Sequence, residues 1–278
     1  MSTPAEFATR TPNRELLRQA GTRVASTIAS AVAALALVLV AWTAFVQLVG
    51  VSDFIAKTPL DVWRYVVSGP DAPAQRAELL SRLGVTLGDA ALGYVAGLGL
   101  AAAVTLLFYF SRLLERMFIP SVTALSAIPM VVVAPILVLV FGRGLTSAAL
   151  IGAAVVFVPA LLMMLDGIAR TPRSLVDMCD AYGGSTFDRF RKFALPHALP
   201  HWFAAARIAV TQAMIGALLA EWLSTGAGLG GQMLLDANQF QFDRLWSGVA
   251  LLTFTSICLY QLASVVESLV AARMAGRL

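Results

Sequence analysis

From residue 24 onward the sequence is a succession of long apolar runs joined by short polar connections. A run of about 20 apolar residues is what an α-helix needs to cross a bilayer, and in lipid only helices and closed barrels satisfy their own backbone polar groups. Six such runs are present, over residues 24–50, 84–110, 118–141, 145–166, 202–222 and 245–270. Only 13% of the residues are charged, against roughly a quarter in soluble domains. The expected fold class is therefore an all-α membrane protein with six transmembrane helices.

Charge sets the orientation. Lys and Arg in short loops resist translocation, so basic connections stay in the cytosol. With residues 1–23 inside, 14 Lys and Arg fall on the cytosolic side and 6 on the other, which predicts cytosolic N- and C-termini. The tail at 1–23 carries four arginines and is too long and too charged for the leader of a cleavable signal peptide. Residues 24–278 form one membrane domain. The net charge of +4 follows from loop orientation, so nucleic-acid binding is not indicated.

Several local patterns refine this. Residues 51–83 alternate charges of both signs, with an amphipathic stretch after Pro59, and read as a helix lying on the outer membrane surface. Gly84 and Gly88, then Gly93 and Gly97, have the small-residue spacing that lets helix backbones approach closely in lipid. Asp89 is expected to face protein or water. Pro120, Pro129 and Pro135 in the third run are compatible with a broken helix beside a pathway and with a simple kink.

The one long polar interruption, Arg170 to Arg207, is basic and so cytosolic. Leu175, Met178, Cys179 and Tyr182 make one apolar stripe of a short helix. Gly183-Gly184 stops it, Ser185 or Thr186 caps a second helix over about 186–194, and Pro196 and Pro200 are expected to end and redirect that helix. The result is a glycine-locked elbow with aromatic knobs, Tyr182, Phe187 and Phe190, and a basic rim that includes Arg191.

This segment resembles the cytoplasmic loop of the permease subunits of binding-protein-dependent ABC importers. Their pattern is Glu-Ala-Ala, three residues, Gly, then a Phe and a Leu-Pro. Asp177-Met178-Cys179 stands at the Glu-Ala-Ala positions, Gly183 at the glycine, Phe190 at the aromatic and Leu195-Pro196 at the closing pair, with Leu199-Pro200 repeating it. Ala127-Ile128-Pro129, Ala134-Pro135, Phe141-Gly142-Arg143-Gly144 and Gly228-Leu229-Gly230 resemble the same family, and the likeness covers about residues 84–270. Within it the sequence looks most similar to the nitrate, sulfonate, taurine and pyrimidine-precursor importers.

The resemblance implies the type I ABC importer permease fold and a multi-pass subunit of the bacterial inner membrane. It implies a homodimer, two ATP-binding cassette subunits, an extracytoplasmic substrate-binding protein, and a small anionic or heterocyclic solute. The loop at 170–200 would be the coupling loop. Its contacts to the ATPase would come from Asp177, Met178, Cys179, Ala181, Tyr182, Gly183, Gly184, Phe187, Phe190, Arg191, Pro196 and Pro200.

The residues themselves argue against catalysis in this chain. No glycine-rich phosphate cradle of the GxxxxGK[ST] kind occurs, so ATP and Mg are expected on the partner ATPase and no cofactor in this chain. Cys179 and Cys258 lie at different depths, and His197 and His201 flank Pro200 without a nearby Glu, so no metal site or disulfide is expected. Pro129, Met130, Gln212 and Glu221 are the candidate translocation-pathway residues. The alternative reading is an ATP-independent transporter or channel, in which Asp89 and Glu221 would be the ion or proton sites.

Overall fold

The computed structural model describes residues 33, 35–50 and 52–275. The expected tail at 1–23, the start of the first span and the final residues lie outside the described residues. Those described are helices joined by turns, without a strand. In chain order the helices are α1 (Leu35–Val49), α2 (Pro59–Trp63), α3 (Ala72–Phe110), α4 (Arg112–Ser126), α5 (Met130–Phe141), α6 (Leu145–Ala169), α7 (Arg173–Ala181), α8 (Thr186–Arg189), α9 (Leu195–Ala220), α10 (Gly228–Asn238) and α11 (Phe242–Ala275).

Two compact units divide at residue 61. In the first, α1 is followed by a turn in which the Trp42 indole N–H donates to the Lys57 carbonyl at 3.1 Å. Asp61 accepts from the Thr58 N–H and hydroxyl at 2.9 and 2.7 Å. The second unit holds everything from residue 62 on. Among the described residues four helices, or five if the bent pair α4–α5 counts as one span, are long and apolar enough to cross a bilayer.

The core is α3, α6 and α9. Alanines dominate its buried faces, with Ala90 and Ala101 from α3, Ala160 from α6, and Ala205, Ala209, Ala213 and Ala217 from α9. Small side chains allow the axes to close up, and in lipid van der Waals packing of this kind drives helix association. The closest approach is glycine on glycine. A Cβ on Gly93 would lie 2.8 Å from the Gly152 Cα, and one on Gly216 would lie 2.8 Å from the same atom, so three helices meet where none has a side chain. Gly97 continues the contact against Val156, whereas Gly84 and Gly88 face open space. Among the described residues only the second of the two glycine pairs makes a close helix contact.

Two expectations change, and one alternative left open is decided. The second span does not start at Gly84: α3 starts at Ala72, with Pro73 in its first turn, and the outer-surface helix expected over residues 51–83 is instead in part the head of α3. Leu79 and Leu83 sit four residues apart on one face and are buried with Leu229, so the charges around them, Glu78 and Arg82, mask a buried stripe. The third run is broken, because Pro129 takes an extended ψ of 122° at the head of α5 and α4 and α5 meet at 103°. Finally, Pro196 and Pro200 do not end the second elbow helix. A π-helical turn, Phe190–Ala194, joins α8 to α9, and helix runs from Thr186 to Thr225. The wider i to i+5 register of that turn gives room for the ring of Pro196, which has no N–H to donate into the helix.

At the end of the bundle away from the elbow, α9 closes in a second π turn, Glu221–Thr225, and α10 packs against α3 and α11. The turn between α5 and α6 is pinned there, the Gly144 N–H donating to Ser224 Oγ at 3.0 Å while Ser224 and Ser147 hydroxyls share a 2.6 Å bond. Arg244 joins three elements: its guanidinium reaches the buried carboxylate of Asp236 on α10 at 2.6 Å and Glu78 on α3 at 3.5 Å. At the elbow end, Arg207 of α9 pairs with Glu267 of α11 and donates to Tyr260 Oη at 2.6 Å.

Candidate functional site

The elbow is built from local chemistry. Helix α7 stops at Ala181, and the chain turns at Gly183 with φ of 73°, a left-handed conformation that glycine adopts without strain. The Gly184 N–H then returns to the Cys179 carbonyl at 2.8 Å. Ser185 opens the second helix with a reciprocal cap: its hydroxyl oxygen accepts from the Asp188 N–H at 3.1 Å, and Asp188 accepts from the Ser185 N–H at 3.2 Å. Asp188 lies on the exposed elbow, outside the apolar part of the helix. Hydrogen bonds from the Ser185 hydroxyl and the Lys192 ammonium hold its carboxyl at about 2, so it stays ionised at neutral pH. Arg189 pairs with Asp180 at 3.2 Å, tying α8 to α7.

One aromatic is spent on anchoring and the others face outward. Phe190 is buried, its ring 5.1 Å from Tyr109 and 5.6 Å from Phe110 at the end of α3. Cys179 is buried too, under Gly184. Met178, Tyr182 and Phe187 are exposed, Tyr182 to 88%. Asp177, Ala181, Gly183 and Arg191 are exposed around them, whereas Gly184, Pro196 and Pro200 are half-buried. The candidate coupling residues thus divide into a seat (Cys179, Gly184, Phe190, Pro196, Pro200) and a face (Asp177, Met178, Ala181, Tyr182, Gly183, Phe187, Arg191). Large exposed apolar side chains on an otherwise well-locked polar loop mark an interaction surface.

The seat is tight. A Cβ on Gly184 would overlap the Cys179 sulfur and lie 2.9 Å from the Cys179 carbonyl oxygen. Gly184→Ala is expected to loosen the elbow by about 1–3 kcal/mol, the usual cost of overpacking. Adding Cys179→Ala should recover part of that loss and not all of it, because the carbonyl stays. Limited proteolysis within residues 170–200 reads the loosening directly.

The four pathway candidates are not brought together. Pro129 is exposed at the bend and Met130 is half-buried as the first residue of α5. Gln212 and Glu221 are nine residues apart on α9 and its terminal turn, hence about 13 Å along the axis and on opposite faces. Glu221 has no exposed surface. Residue patterns alone give no signal for Thr86, which sits against Glu221, nor for the aromatic seat of Phe190 on Tyr109 and Phe110. The Gly-Leu-Gly spacing at 228–230 does mark the turn that encloses Glu221.

Residues 93–276 match the family model described as the binding-protein-dependent transport system inner membrane component. A probable ABC transporter permease protein of Haemophilus influenzae is 33% identical over 201 residues, 70% of this chain and 82% of that protein. The riboflavin transport system permease protein RibX of Chloroflexus aurantiacus is 32% identical, covering 84% and 86%. A putative aliphatic sulfonates transport permease protein, SsuC, of Bacillus subtilis is 27% identical, covering 77% and 76%. Among solved structures, the inward-facing MetNI methionine ABC transporter superposes with a TM-score of 0.57 at 19% identity, over 73% of this chain and 99% of the matched one, which shows a shared fold. This chain therefore belongs to the binding-protein-dependent transport system inner membrane components, as the non-enzymatic, multi-pass permease subunit of a bacterial ABC importer whose ATPase is a separate protein.

Proposed function

We propose that residues 170–200 are the coupling loop of the importer, docked on a cytosolic ATPase that holds the ATP and Mg, with both termini of the chain in the cytosol. What supports this is the elbow itself, a glycine-turned, serine-capped pair of helices that buries Phe190 and Cys179 while presenting Met178, Tyr182 and Phe187. A lever needs a stiff joint and a sticky face. Tyr182 and Phe187 provide the face, and the cap and the Arg189–Asp180 pair stiffen the joint.

The working assembly in this reading is two copies of the permease, two ATPase subunits and an extracytoplasmic binding protein that delivers a small anionic or heterocyclic solute. Relatives named for riboflavin, formylaminopyrimidine and aliphatic sulfonates define the solutes to try first. In this reading Pro129 and Met130, at the 103° bend, and Gln212 would line the pathway.

The test is uptake into sealed vesicles carrying the full complex, with and without internal ATP, using each of those solutes on its binding protein. Uptake only with ATP supports the reading, and uptake that persists without ATP overturns it. Tyr182→Ala removes a side chain that is 88% exposed, so it is expected to lower the amount of ATPase co-purified at least tenfold, about 1.4 kcal/mol or more, with folding unchanged. Equal recovery of the ATPase would remove Tyr182 from the docking face.

A further inference from the structure

Between α10 and α11 the chain turns through Phe240, whose φ is 59°. It is the one residue other than glycine in the left-handed region among the described residues. The Gln239 N–H bonds back to the Leu235 carbonyl and the Gln241 N–H to the Asp236 carbonyl, both at 2.9 Å. A bond of the second kind, reaching back five residues, closes a helix around a position where glycine is usual, because glycine has no Cβ to clash. A bulky side chain there is a genuine outlier.

Burial does not account for it. The Phe240 ring is 65% exposed and meets Phe242 edge-on, with ring centroids 6.2 Å apart. The turn is held firmly all the same. Just beside it Asp236 and Arg244 clamp the end of α10 to the head of α11, and Arg244 reaches on to Glu78 of α3. Backbone strain that a fold retains without gaining burial collects at functional positions.

The depth of the tip narrows what it can meet. Residues 245–266 of α11 hold no charged side chain and rise about 33 Å as helix, close to the hydrocarbon thickness. Glu267 bounds that run at the elbow end and Arg244 at the other. Phe240 lies beyond Arg244, outside the hydrocarbon. Its chain neighbours Asn238, Gln239, Gln241 and Asp243 are polar and exposed, which suits water and not acyl chains. Leu235, one turn back on α10, is exposed as well and widens the apolar spot. A rigid aromatic ring in a polar surround has the form of a protein-docking anchor. With the elbow in the cytosol this tip faces the opposite compartment, where the soluble partner of a binding-protein-dependent system is the protein that delivers the solute.

We propose that Phe240 is the anchor on which the extracytoplasmic binding protein docks, its ring entering an apolar recess of that protein while Gln239 and Gln241 supply a hydrogen-bonding rim. This rests on the importer reading above and adds to it the residue of contact.

Glycine fits the left-handed turn without strain, so Phe240→Gly separates docking from folding. Its Tm is expected within about 2 °C of the parent's or above it. The probe is the binding protein that supports ATP-driven uptake in the vesicle assay, titrated into the full complex in lipid nanodiscs. Its affinity for Phe240→Gly should fall at least tenfold, and a photoreactive benzophenone amino acid placed at position 240 should cross-link to it. Undiminished affinity, a cross-link to lipid or to a second permease alone, or a Tm lowered by more than about 5 °C would each overturn the proposal. A parent complex that no binding protein drives would overturn the importer reading itself, and this proposal with it.

Discussion

Leucine at position 93 is expected to leave little folded permease in the membrane. The Gly93 Cα faces Gly152 so closely that a Cβ would lie 2.8 and 2.9 Å from two of its backbone atoms. Backbone cannot swing aside as a flexible side chain does, so α3 and α6 must separate along their length. Gly216 meets the same glycine from α9, so the separation opens the third side of the crossing as well. Overpacking a well-packed core costs about 1–3 kcal/mol and occasionally more, and here two helix contacts are lost together. Against a total stability of about 5–15 kcal/mol, we expect roughly a tenth of the parent yield of monodisperse protein in size-exclusion chromatography after detergent extraction. Gly88→Leu is the control. It lies on the same helix with open space at its Cβ, and leucine is a better helix former than glycine by about 0.8 kcal/mol. Normal yield of Gly93→Leu would mean that the three helices do not cross there.

Arg244→Met is the second large effect. Asp236 is 1% exposed, and a single one of its oxygens takes the Gln232 amide at 2.7 Å and the Arg244 Nε and Nη2 at 2.7 and 2.6 Å. Removing the arginine strands a buried carboxylate between α10 and α11. Breaking a buried pair from one side costs about 3–5 kcal/mol. Arg244 is itself 22% exposed, so water can partly reach the gap and the lower end of that range is expected. Asp236→Asn removes the charge that would be stranded. The Arg244→Met/Asp236→Asn double variant should therefore be more stable than the sum of the two single losses, by about 1 kcal/mol or more. Thermal unfolding of the four proteins in one detergent measures the coupling, and strict additivity would show that the pair is unimportant.

Much of the elbow is legible in its residues because the forces there are short-range. Gly183 in the left-handed region and the Ser185 cap each follow from a residue and its near neighbours, whereas Phe190, expected as an outward knob, is buried because Tyr109 and Phe110 at the distant end of α3 receive it. The membrane spans are legible for a related reason, since lipid imposes one requirement on every backbone group. What escapes local reading depends on distant partners. Leu79 and Leu83 look like surface residues among charges until Leu229 covers them. Pro196 and Pro200 look like helix stops until the π turn before them supplies the missing room. Gln212 and Glu221 share a helix without sharing a face, and the role of Thr86 is set by a turn over 140 residues further on.

The run of helix from Thr186 to Thr225 has a mechanical meaning. Its 40 residues extend about 60 Å, about twice the hydrocarbon thickness, from the capped start beside Tyr182 to Thr225, just past the enclosed Glu221. Were Pro196 a true stop, motion at the elbow would dissipate at a hinge near the lipid headgroups. In the coupling role proposed for the elbow, one rod turns a tilt of a few degrees at its capped start into several ångströms of travel at its other end, as the tip of an oar is worked from its grip.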